Sequence, residues 1–568
     1  MTGCRARPFV NWIVRAGLLM LVALVATSGE AEQAIAQEAR LDERFGAVDA
    51  HLDPNAATES RVGWERITFD WSMMQPGPGT TLLGAGLEDD WFNNARTDGR
   101  QVVGMLVNTP AWATEGRPGI GVPAGLYLPP GDPGNLWASF VREVVGIYGQ
   151  RGVDHWIIWD NANIPSGVYG HGWEGSIEDY YQLVKVASIV AKGANPEAQI
   201  HLAGYSLTYD ALWLQRLLEV VAADGAAPGN DYFFDAASVH VYYQSEDVFS
   251  STQSAFFVMQ QELGTLKDVW IVESSAYPPN IALAEYPPVT PDQQASFVLQ
   301  ASALALAAGA ERVGVDRFVD AQSDEGEWLP GLLGPQGGPR PAYHAFSVMT
   351  ETFAGTQAAA RTQLELVEYV RLSRVDSVAY VAWARTAQPA LLSIPASGDG
   401  AILIDQAGDQ QALAPEGGRY TVRLEGADCN APDRTCPIGG SVVVLVETDV
   451  DPFANPPPAS RFQAEPAPTL SADQVTPTPV PTPVPTAAPT LAPTETTEQV
   501  EQAPTQVPAE AEEPTQVPQP TAAVPPTPAP IPPPPSGAAA ALPFVLVGLG
   551  ALLVGGSVGF WLRERWKR

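Results

Sequence analysis

Positive charge is scarce in this sequence. Its 568 residues include 31 Lys and Arg against 64 Asp and Glu, giving a formal net charge of −33 at pH 7. No basic run occurs outside the two chain ends. A surface that binds nucleic-acid phosphates needs clustered Lys and Arg, so the sequence excludes a nucleic-acid partner. An acidic surface of this kind favours solubility over recognition of a cationic partner.

Cysteine is also scarce, with three in the chain. Cys4 lies in an N-terminal apolar segment, while Cys429 and Cys436 stand close together in "CNAPDRTCPIGG". In an oxidising compartment we expect these two to form a local disulfide across a hairpin loop, stabilising the fold by roughly 2–3 kcal/mol. No further Cys or His stands nearby to complete four ligands, so we expect no metal there, and no pattern indicates a cofactor.

Long apolar runs occur near the two chain ends. Residues 1–36 combine three arginines, the run "AGLLMLVALVA" and a small-residue A-x-A site, which is typical of a secretory signal peptide. Residues 542–562 carry no charge, and at about 1.5 Å per residue they cover a bilayer core of about 30 Å. The basic tail at 563–568 favours a cytoplasmic C-terminus. The sequence therefore predicts a single-pass protein of the cell membrane with extracellular folded domains.

The composition changes abruptly near residue 454. Residues 454–537 are rich in Pro and Thr, as in "TPTPVPTPVPTAAPT", and lack the apolar content of a core. Such a segment is typical of a disordered, polyproline-like stalk. Two folded regions remain, at 40–355 and 360–450.

Residues 40–355 alternate short β-rich runs with longer segments of helical period. The eight runs are "FGAVDAH", "ERITFDW", "VVGMLVNTPAW", "HWIIWDN", "QIHLAGY", "ASVHVYY", "DVWIVESS" and "RVGVDRF". Eight strands with crossover helices over about 300 residues predict an α/β protein with a (β/α)8 TIM barrel. A doubly wound open sheet is the alternative, but no Gly-rich phosphate loop follows the first strand. Residues 360–450 contain short alternating strands between turns, which predict an appended β-sandwich.

Polar and aromatic residues concentrate where the predicted strands end. They are Arg66 and Trp71 after the second strand, Trp112 after the third, Asp160 and Asn161 after the fourth, His240 and Tyr242 on the sixth, and Glu273 on the seventh. A carboxylate such as Glu273 at the end of an apolar strand acts as a base or nucleophile, or pairs structurally with Arg66 or His240. Aromatic rings at a barrel mouth suit carbohydrate, whose C–H faces pack on rings while polar groups bond the hydroxyls.

Six segments occur in an order that resembles a known group of enzymes. They are "ERITFDWSMMQPGPG", "VGMLVNTPAWA", "WIIWDNAN", "SVHVYY", "VWIVESS" and "RPAYHAFSVMT". From about residue 44 to 450 the chain resembles retaining glycoside hydrolases of clan A, especially the bacterial xylosidase-like family 39 with its trailing β-sandwich, and family 5. The resemblance implies a (β/α)8 barrel that acts on carbohydrate.

The resemblance also implies roles for single residues. In the clan, the fourth strand ends in Trp-Asn-Glu-Pro, whose Glu is the general acid/base, and the seventh ends in the nucleophilic Glu. Glu273 matches the nucleophile, and His240 and Tyr242 match the pair that orders the site. Asp160 matches the Asn that contacts a sugar hydroxyl, and Asn161 occupies the acid/base position.

The residue at position 161 bears directly on catalysis. A retaining mechanism needs two carboxyl groups about 5–5.5 Å apart. The amide of Asn161 donates a hydrogen bond but cannot transfer a proton, and loss of acid/base catalysis costs about 10²–10⁴ in rate. Displaced acids that could substitute are Asp160, Glu174, Glu246 and Asp247.

Three interpretations stay open. The protein is a cell-surface hydrolase with nucleophile Glu273 and a displaced acid, a catalytically inactive carbohydrate-binding module, or a structural surface component with a vestigial cleft. The cluster of Arg66, Trp71, Trp112, His240, Tyr242 and Glu273 favours a working cleft. The expected partners are an oligo- or polysaccharide and, through one helix, the membrane.

Overall fold

The computed structural model describes residues 41–79, 82, 87–164, 172–277, 289–322, 328–429 and 435–453. The predicted signal peptide, stalk and membrane span therefore lie outside the described residues. Within those ranges, no helix combines the length and the apolar character needed to cross a membrane.

Eight parallel strands close into a barrel in chain order. They are β1 (Phe45–Val48), β2 (Trp64–Asp70), β3 (Gln101–Val107), β4 (Val153–Asp160), β5 (Gln199–Gly204), β6 (Ala236–Tyr242), β7 (Asp268–Ser275) and β8 (Arg312–Val315). Closure is complete because β8 pairs in parallel with β1, with Val313 opposite Phe45. The predicted (β/α)8 barrel is confirmed.

Helices cover the barrel. The α-helices are α1 (Pro54–Glu59), α2 (Trp71–Met74), α3 (Asp89–Asp98), α4 (Leu136–Tyr148), α5 (Ile177–Ala194), α6 (Trp213–Ala223), α7 (Glu246–Leu263), α8 (Pro291–Ala308) and α9 (Pro341–Thr352). Short 3₁₀ turns lie at Ala50–Leu52, Ala111–Ala113, Gly149–Arg151 and Pro228–Phe233. Helix α5 begins at a capping box of Ser176 and Asp179, and α8 at one of Thr290 and Gln293. These caps satisfy backbone N–H groups that the first turn leaves without partners.

Large side chains fill the interior of the barrel. One buried cluster consists of Trp64, Val103, Met105, Val107, Ile157, Ala236, Trp270 and Val272. Glycine makes room for the Trp64 indole: a Cβ added at Gly46 would lie 2.3 Å from its ring, and one added at Gly314 would lie 2.6 Å from it. The interior is a packed core, which leaves the loops at the strand ends for chemistry.

An antiparallel β domain follows the barrel. Its strands are β11 (Ala358–Gln363), β12 (Val367–Ser373), β13 (Ser377–Ala384), β14 (Ala390–Pro395), β15 (Ala401–Asp405), β16 (Gln410–Leu413), β17 (Arg419–Leu424) and β18 (Val443–Thr448), after a small pair β9 (Ala321–Gln322) and β10 (Trp328–Leu329). One sheet has the order β11-β12-β13-β18-β15-β16, and β14 pairs with β17 in the second. Tyr380 of the first sheet and Leu392 and Val422 of the second share one core, so the predicted β-sandwich is confirmed.

The sandwich packs against α7 and α8. Gln300 of α8 donates to the carbonyl of Gly440 at 3.0 Å and accepts from the N–H of Gly439 at 3.0 Å. On the same side, the predicted disulfide between Cys429 and Cys436 is present. Barrel and sandwich therefore share buried hydrogen bonds.

Candidate active site at the barrel mouth

Glu273 lies near the C-terminal end of β7 with 8% of its side chain exposed. Its Oε1 accepts from Arg66 Nη1, and its Oε2 accepts from the Tyr242 hydroxyl. Burial pushes the pKa of Glu273 upward, but the charges of Arg66 and His240 and these hydrogen bonds outweigh it and lower the pKa to about 2. Glu273 is thus an oriented, ionised carboxylate, which is what a nucleophile requires.

The backbone turns sharply at the end of β4. Trp159 has φ 75° and Asn161 has φ 48°, both in the left-handed region, with Asp160 between them. Such conformations are uncommon outside glycine and concentrate at functional sites. The Trp159 indole donates to the carbonyl of Gly172 at 2.8 Å, which holds the turn in place.

Asp160 and Asn161 lie beside His240 and Glu273. Asn161 Nδ2 donates to Asp160 Oδ2 at 3.0 Å, and Asn161 Oδ1 lies 3.2 Å from His240 Nδ1. One ligand-type atom each from Asp160, His240 and Glu273 lies within 4.8 Å of the other two. With Arg66 and Tyr242, which bond to Glu273, the structure therefore brings together six of the predicted site residues.

The pKa of the Asp160 carboxyl is shifted in the direction opposite to that of Glu273. Burial first, and then the negative charge of Glu273, raise the pKa of Asp160. Its side chain is 25% exposed, so solvent and a bound ligand can reach it. Two neighbouring carboxyl groups whose pKa values are pushed apart are the arrangement that assigns one as acid and the other as base or nucleophile.

A third carboxyl group, Asp316, was missed by sequence reasoning. It follows β8 directly, and its Oδ2 accepts from the hydroxyls of Tyr242, at 3.1 Å, and Tyr277. Burial, followed by the charge of Glu273, raises its pKa. The sequence does contain a signal for Asp316. This residue directly follows "RVGV" of the eighth run, as Glu273 directly follows the apolar residues "VWIV" of the seventh.

Arg66 is the cation shared by these acids. Burial lowers its pKa, but the charges of Glu273, Asp160 and Asp316 outweigh this effect and raise it. Arg66 therefore remains charged and holds Glu273 in its ionised form. Among these acids, Glu273 is the one that Arg66 pairs with directly.

Trp71 and Trp112, the two tryptophans predicted to contact substrate, differ in their burial. Trp71 is fully buried and stacks on Phe140 at 4.8 Å between ring centroids. The predicted substrate-binding role of Trp71 is wrong for this conformation, because the indole has no surface left for a sugar. Trp112 is half-buried, and its indole donates to the carbonyl of Gln75 at 2.7 Å.

Other acids lie in different surroundings. Glu174 Oε2 accepts from the N–H of Arg117 at 2.7 Å. Glu246 pairs with Arg385 of the sandwich at 2.9 Å, so it serves the domain interface. Asp247 lines a depression of about 230 Å³ that also touches His240 and Tyr242. Of the four displaced acids expected from the sequence, Asp160 is the one grouped with Glu273.

No protein-family model and no curated protein sequence matches this chain. Solved structures do. A family 39 glycoside hydrolase from the gut symbiont Bacteroides cellulosilyticus is 15% identical, with 72% of this chain and 82% of that chain covered and a TM-score of 0.55. A monomeric β-xylosidase from Caulobacter crescentus is 14% identical, with 72% and 96% covered and a TM-score of 0.48. A family 30 endoxylanase from Clostridium papyrosolvens is 12% identical, with 72% and 96% covered and a TM-score of 0.48.

The similarity to the family 39 enzyme concerns the fold. It confirms the resemblance to glycoside hydrolases of clan A at the level of the barrel and its trailing β domain. The roles of single residues depend on the geometry of the site itself.

Proposed function

We propose that the barrel mouth cleaves glycosidic bonds by a retaining mechanism, with Glu273 as nucleophile and Asp160 as the displaced acid/base. The observation that supports it is the pairing of an ionised Glu273 with Asp160, whose pKa is raised, at a separation of 4.8 Å or less between ligand-type atoms. Retaining enzymes need two such carboxyl groups about 5–5.5 Å apart.

The proposed mechanism follows from the charges. In the first step Glu273 attacks the anomeric carbon while Asp160 protonates the departing oxygen. Formation of the ester removes the negative charge that raises the pKa of Asp160, so this pKa falls. Asp160, now ionised, accepts a proton from the attacking water in the second step. Arg66 and Tyr242 orient the Glu273 carboxylate for this attack.

The proposed setting is the outer face of a cell membrane. Residues 542–562 would anchor the chain, residues 454–537 would hold the barrel away from the bilayer, and residues 1–36 would direct export. The Cys429–Cys436 disulfide supports an oxidising compartment. The proposed substrate is an oligo- or polysaccharide.

One observation favours an alternative, a carbohydrate-binding protein without turnover. The Asn161 amide donates to Asp160 Oδ2 at 3.0 Å, and a donor of this kind stabilises the ionised form of a carboxyl group. An acid held ionised would not protonate a leaving group. The two proposals therefore differ in the protonation of Asp160.

Dinitrophenyl glycosides test the proposal, because their leaving groups depart without protonation and azide attacks a glycosyl-enzyme without a general base. The purified protein should turn them over faster with azide, and Glu273→Gln should abolish this turnover. Asp160→Asn should keep the azide-stimulated reaction but lose cleavage of unactivated disaccharides by about 10²–10⁴-fold.

Glu174→Gln is the matched control, since Glu174 bonds to the Arg117 backbone and should leave both reactions unchanged. Absence of turnover across a broad glycoside panel, in protein shown to be folded, would reject the hydrolase. Sugar binding by that protein would then support the carbohydrate-binding alternative.

A further inference from the structure

A depression of about 230 Å³ adjoins the candidate active site on the side of β5 and β6. Two of its lining residues, His240 and Tyr242, belong to the site itself. Its other polar lining residues come from the loop after β5 and from the first turns of α7, and they are Ser206, Thr208, Asp247, Ser250 and Ser251. Pockets for drug-sized ligands measure about 300–1,000 Å³, so this depression, named the β5–β6 depression, accommodates a single small ring.

The lining of the β5–β6 depression is rich in hydroxyl groups. Asp247, Ser250 and Ser251 follow the i, i+3, i+4 spacing on α7, which places them on one face of the helix. Ser206 and Thr208 add two more hydroxyls from the loop. A hydroxyl both donates and accepts, and a carboxylate accepts at two oxygens. This lining suits a ligand that itself carries several hydroxyl groups, which is the chemistry of a monosaccharide.

The Asp247 carboxyl lacks a protein partner within the part of the chain that the structure describes. It accepts no hydrogen bond and pairs with no cation there, although the residue is half-buried. Burial, followed by the charge of Glu246, raises the pKa of Asp247. Hydroxyl donors of a ligand would stabilise this carboxylate, because they replace the water that burial has removed.

The β5–β6 depression lies on the Asp160 side of the site. Asp160 pairs with Gly204 across β4 and β5, and Ser206 follows Gly204 by two residues. His240, which lines the depression, has its Nε2 3.7 Å from Asp160 Oδ1. In the proposed mechanism Asp160 protonates the departing oxygen, so the departing sugar lies on this side of the cleaved bond.

We propose that the β5–β6 depression binds the sugar unit that departs in the first step, with Asp247, Ser250 and Ser251 bonding to its hydroxyls. The choice of the departing unit rests on the proposed hydrolase function, whereas the affinity of the depression for a sugar does not. The substrate then carries a sugar, rather than an apolar group, on the leaving-group side of the cleaved bond. Asp247 is thus a residue that determines specificity.

Two substrates that share the cleaved sugar test this proposal on the full-length protein. A disaccharide offers the depression a sugar, whereas a dinitrophenyl glycoside of one sugar offers it no hydroxyl group. Asp247→Ala should therefore lower kcat/KM on the disaccharide about 10-fold more than on the dinitrophenyl glycoside, because hydrogen bonds to a charged group are lost. Asp247→Asn, which keeps the shape of the side chain, should show the same preference to a smaller extent.

Glu178→Ala is the matched control. Glu178 is the second residue of α5, as Asp247 is of α7, and it does not line the depression. This variant should cleave both substrates like the parent, and circular dichroism checks that each variant is folded. Equal effects of Asp247→Ala on the two substrates, whether absent or large, would overturn the proposal while leaving the hydrolase in place.

Failure of the hydrolase proposal has a different signature, which is absence of dinitrophenyl glycoside turnover. Sugar binding to the depression is then measured by saturation-transfer NMR, with cellobiose, maltose and lactose as probes. Asp247→Ala should weaken the binding of at least one disaccharide about 10-fold, and Glu178→Ala should leave it unchanged. Equal binding by Asp247→Ala and the parent, or no binding by the folded parent, would overturn the sugar site.

Discussion

Two neighbouring residues, Asp160 and Asn161, define the chemistry of this site. The clan motif has an amide followed by a carboxyl at these positions, and this chain has a carboxyl followed by an amide. The exchange keeps one acid near Glu273, but on a different residue and on a shorter side chain. Its location in the same group as His240 and Glu273 supports the proposal that it acts as the displaced acid.

Restoring the clan order tests the importance of this exchange. The double variant Asp160→Asn with Asn161→Glu should cleave unactivated disaccharides about 10²–10⁴-fold faster than Asp160→Asn alone, because a proton donor is present again. The measurement is kcat/KM on disaccharides. Unchanged rates in a folded double variant would show that more than the acid is missing from the cleft.

Asp316 offers a prediction about pH. The proposed mechanism needs a protonated Asp160, so the expected activity falls as pH rises through the pKa of Asp160. The charge of Asp316 contributes to raising this pKa, so Asp316→Asn should move the alkaline limb of the kcat/KM profile to lower pH. A limb that stays in place would show that Asp160 is not the titrating acid.

At the scale of elements, β5 determines where the His240 ring sits. A Cβ added at Gly204 would lie 1.8 Å from His240 Nε2 and 2.4 Å from its Cε1. Only glycine at this position on β5 leaves the imidazole room between β4 and β7. The site thus depends on a residue with no functional group.

Gly204→Ala should therefore displace the imidazole and lower the free energy of unfolding by about 1–3 kcal/mol. Gly146→Ala in α4 is the control, because a Cβ there meets no atom within 4 Å. It should stabilise the helix by about 0.5–1 kcal/mol. Urea denaturation measures both changes in stability. A Gly204→Ala variant as stable as the parent would contradict this role.

At the scale of the whole molecule, ion pairs join the barrel to the sandwich. Glu246 at the start of α7 pairs with Arg385 at 2.9 Å and with Arg361 at 3.5 Å. Arg361 also bonds to Glu368, whose side chain is fully buried. Burial first, and then the charge of Glu246, raise the pKa of Glu368 to about 7 in spite of the two arginines.

This raised pKa predicts how stability depends on pH. Between the unfolded pKa of about 4.3 and the folded pKa of about 7, the folded protein binds a proton that the unfolded chain has lost. The contribution of Glu368 to stability is therefore full below this window and declines as pH rises through it, by about 4 kcal/mol in total.

Glu368→Gln should remove this decline, so its free energy of unfolding should fall less between pH 4 and pH 8 than that of the parent. Glu425→Gln on the exposed surface is the control and should follow the parent. Denaturant unfolding at several pH values provides the measurement. If the free energies of unfolding of Glu368→Gln and of the parent change in parallel with pH, the pKa of Glu368 is not raised in the folded protein.

The sequence by itself determined the barrel, the sandwich and the disulfide. Periodicity, turn residues and cysteine spacing are local properties, and each of the eight predicted runs became a strand of the barrel. The positions of Glu273 and His240 near strand ends were predictable for the same reason, because the sequence shows where each of these strands ends. The signal peptide, the stalk and the membrane span remain predictions from composition.

Only the tertiary structure decided which side chains meet. Closure of β8 onto the barrel brings Asp316 to Tyr242, 74 residues earlier in the chain, and the docked sandwich takes Glu246 away from the cleft. Trp71 looks like a sugar platform in the sequence, yet helix packing buries it. Contact, burial and pKa depend on neighbours distant in the chain, and local patterns do not encode those neighbours.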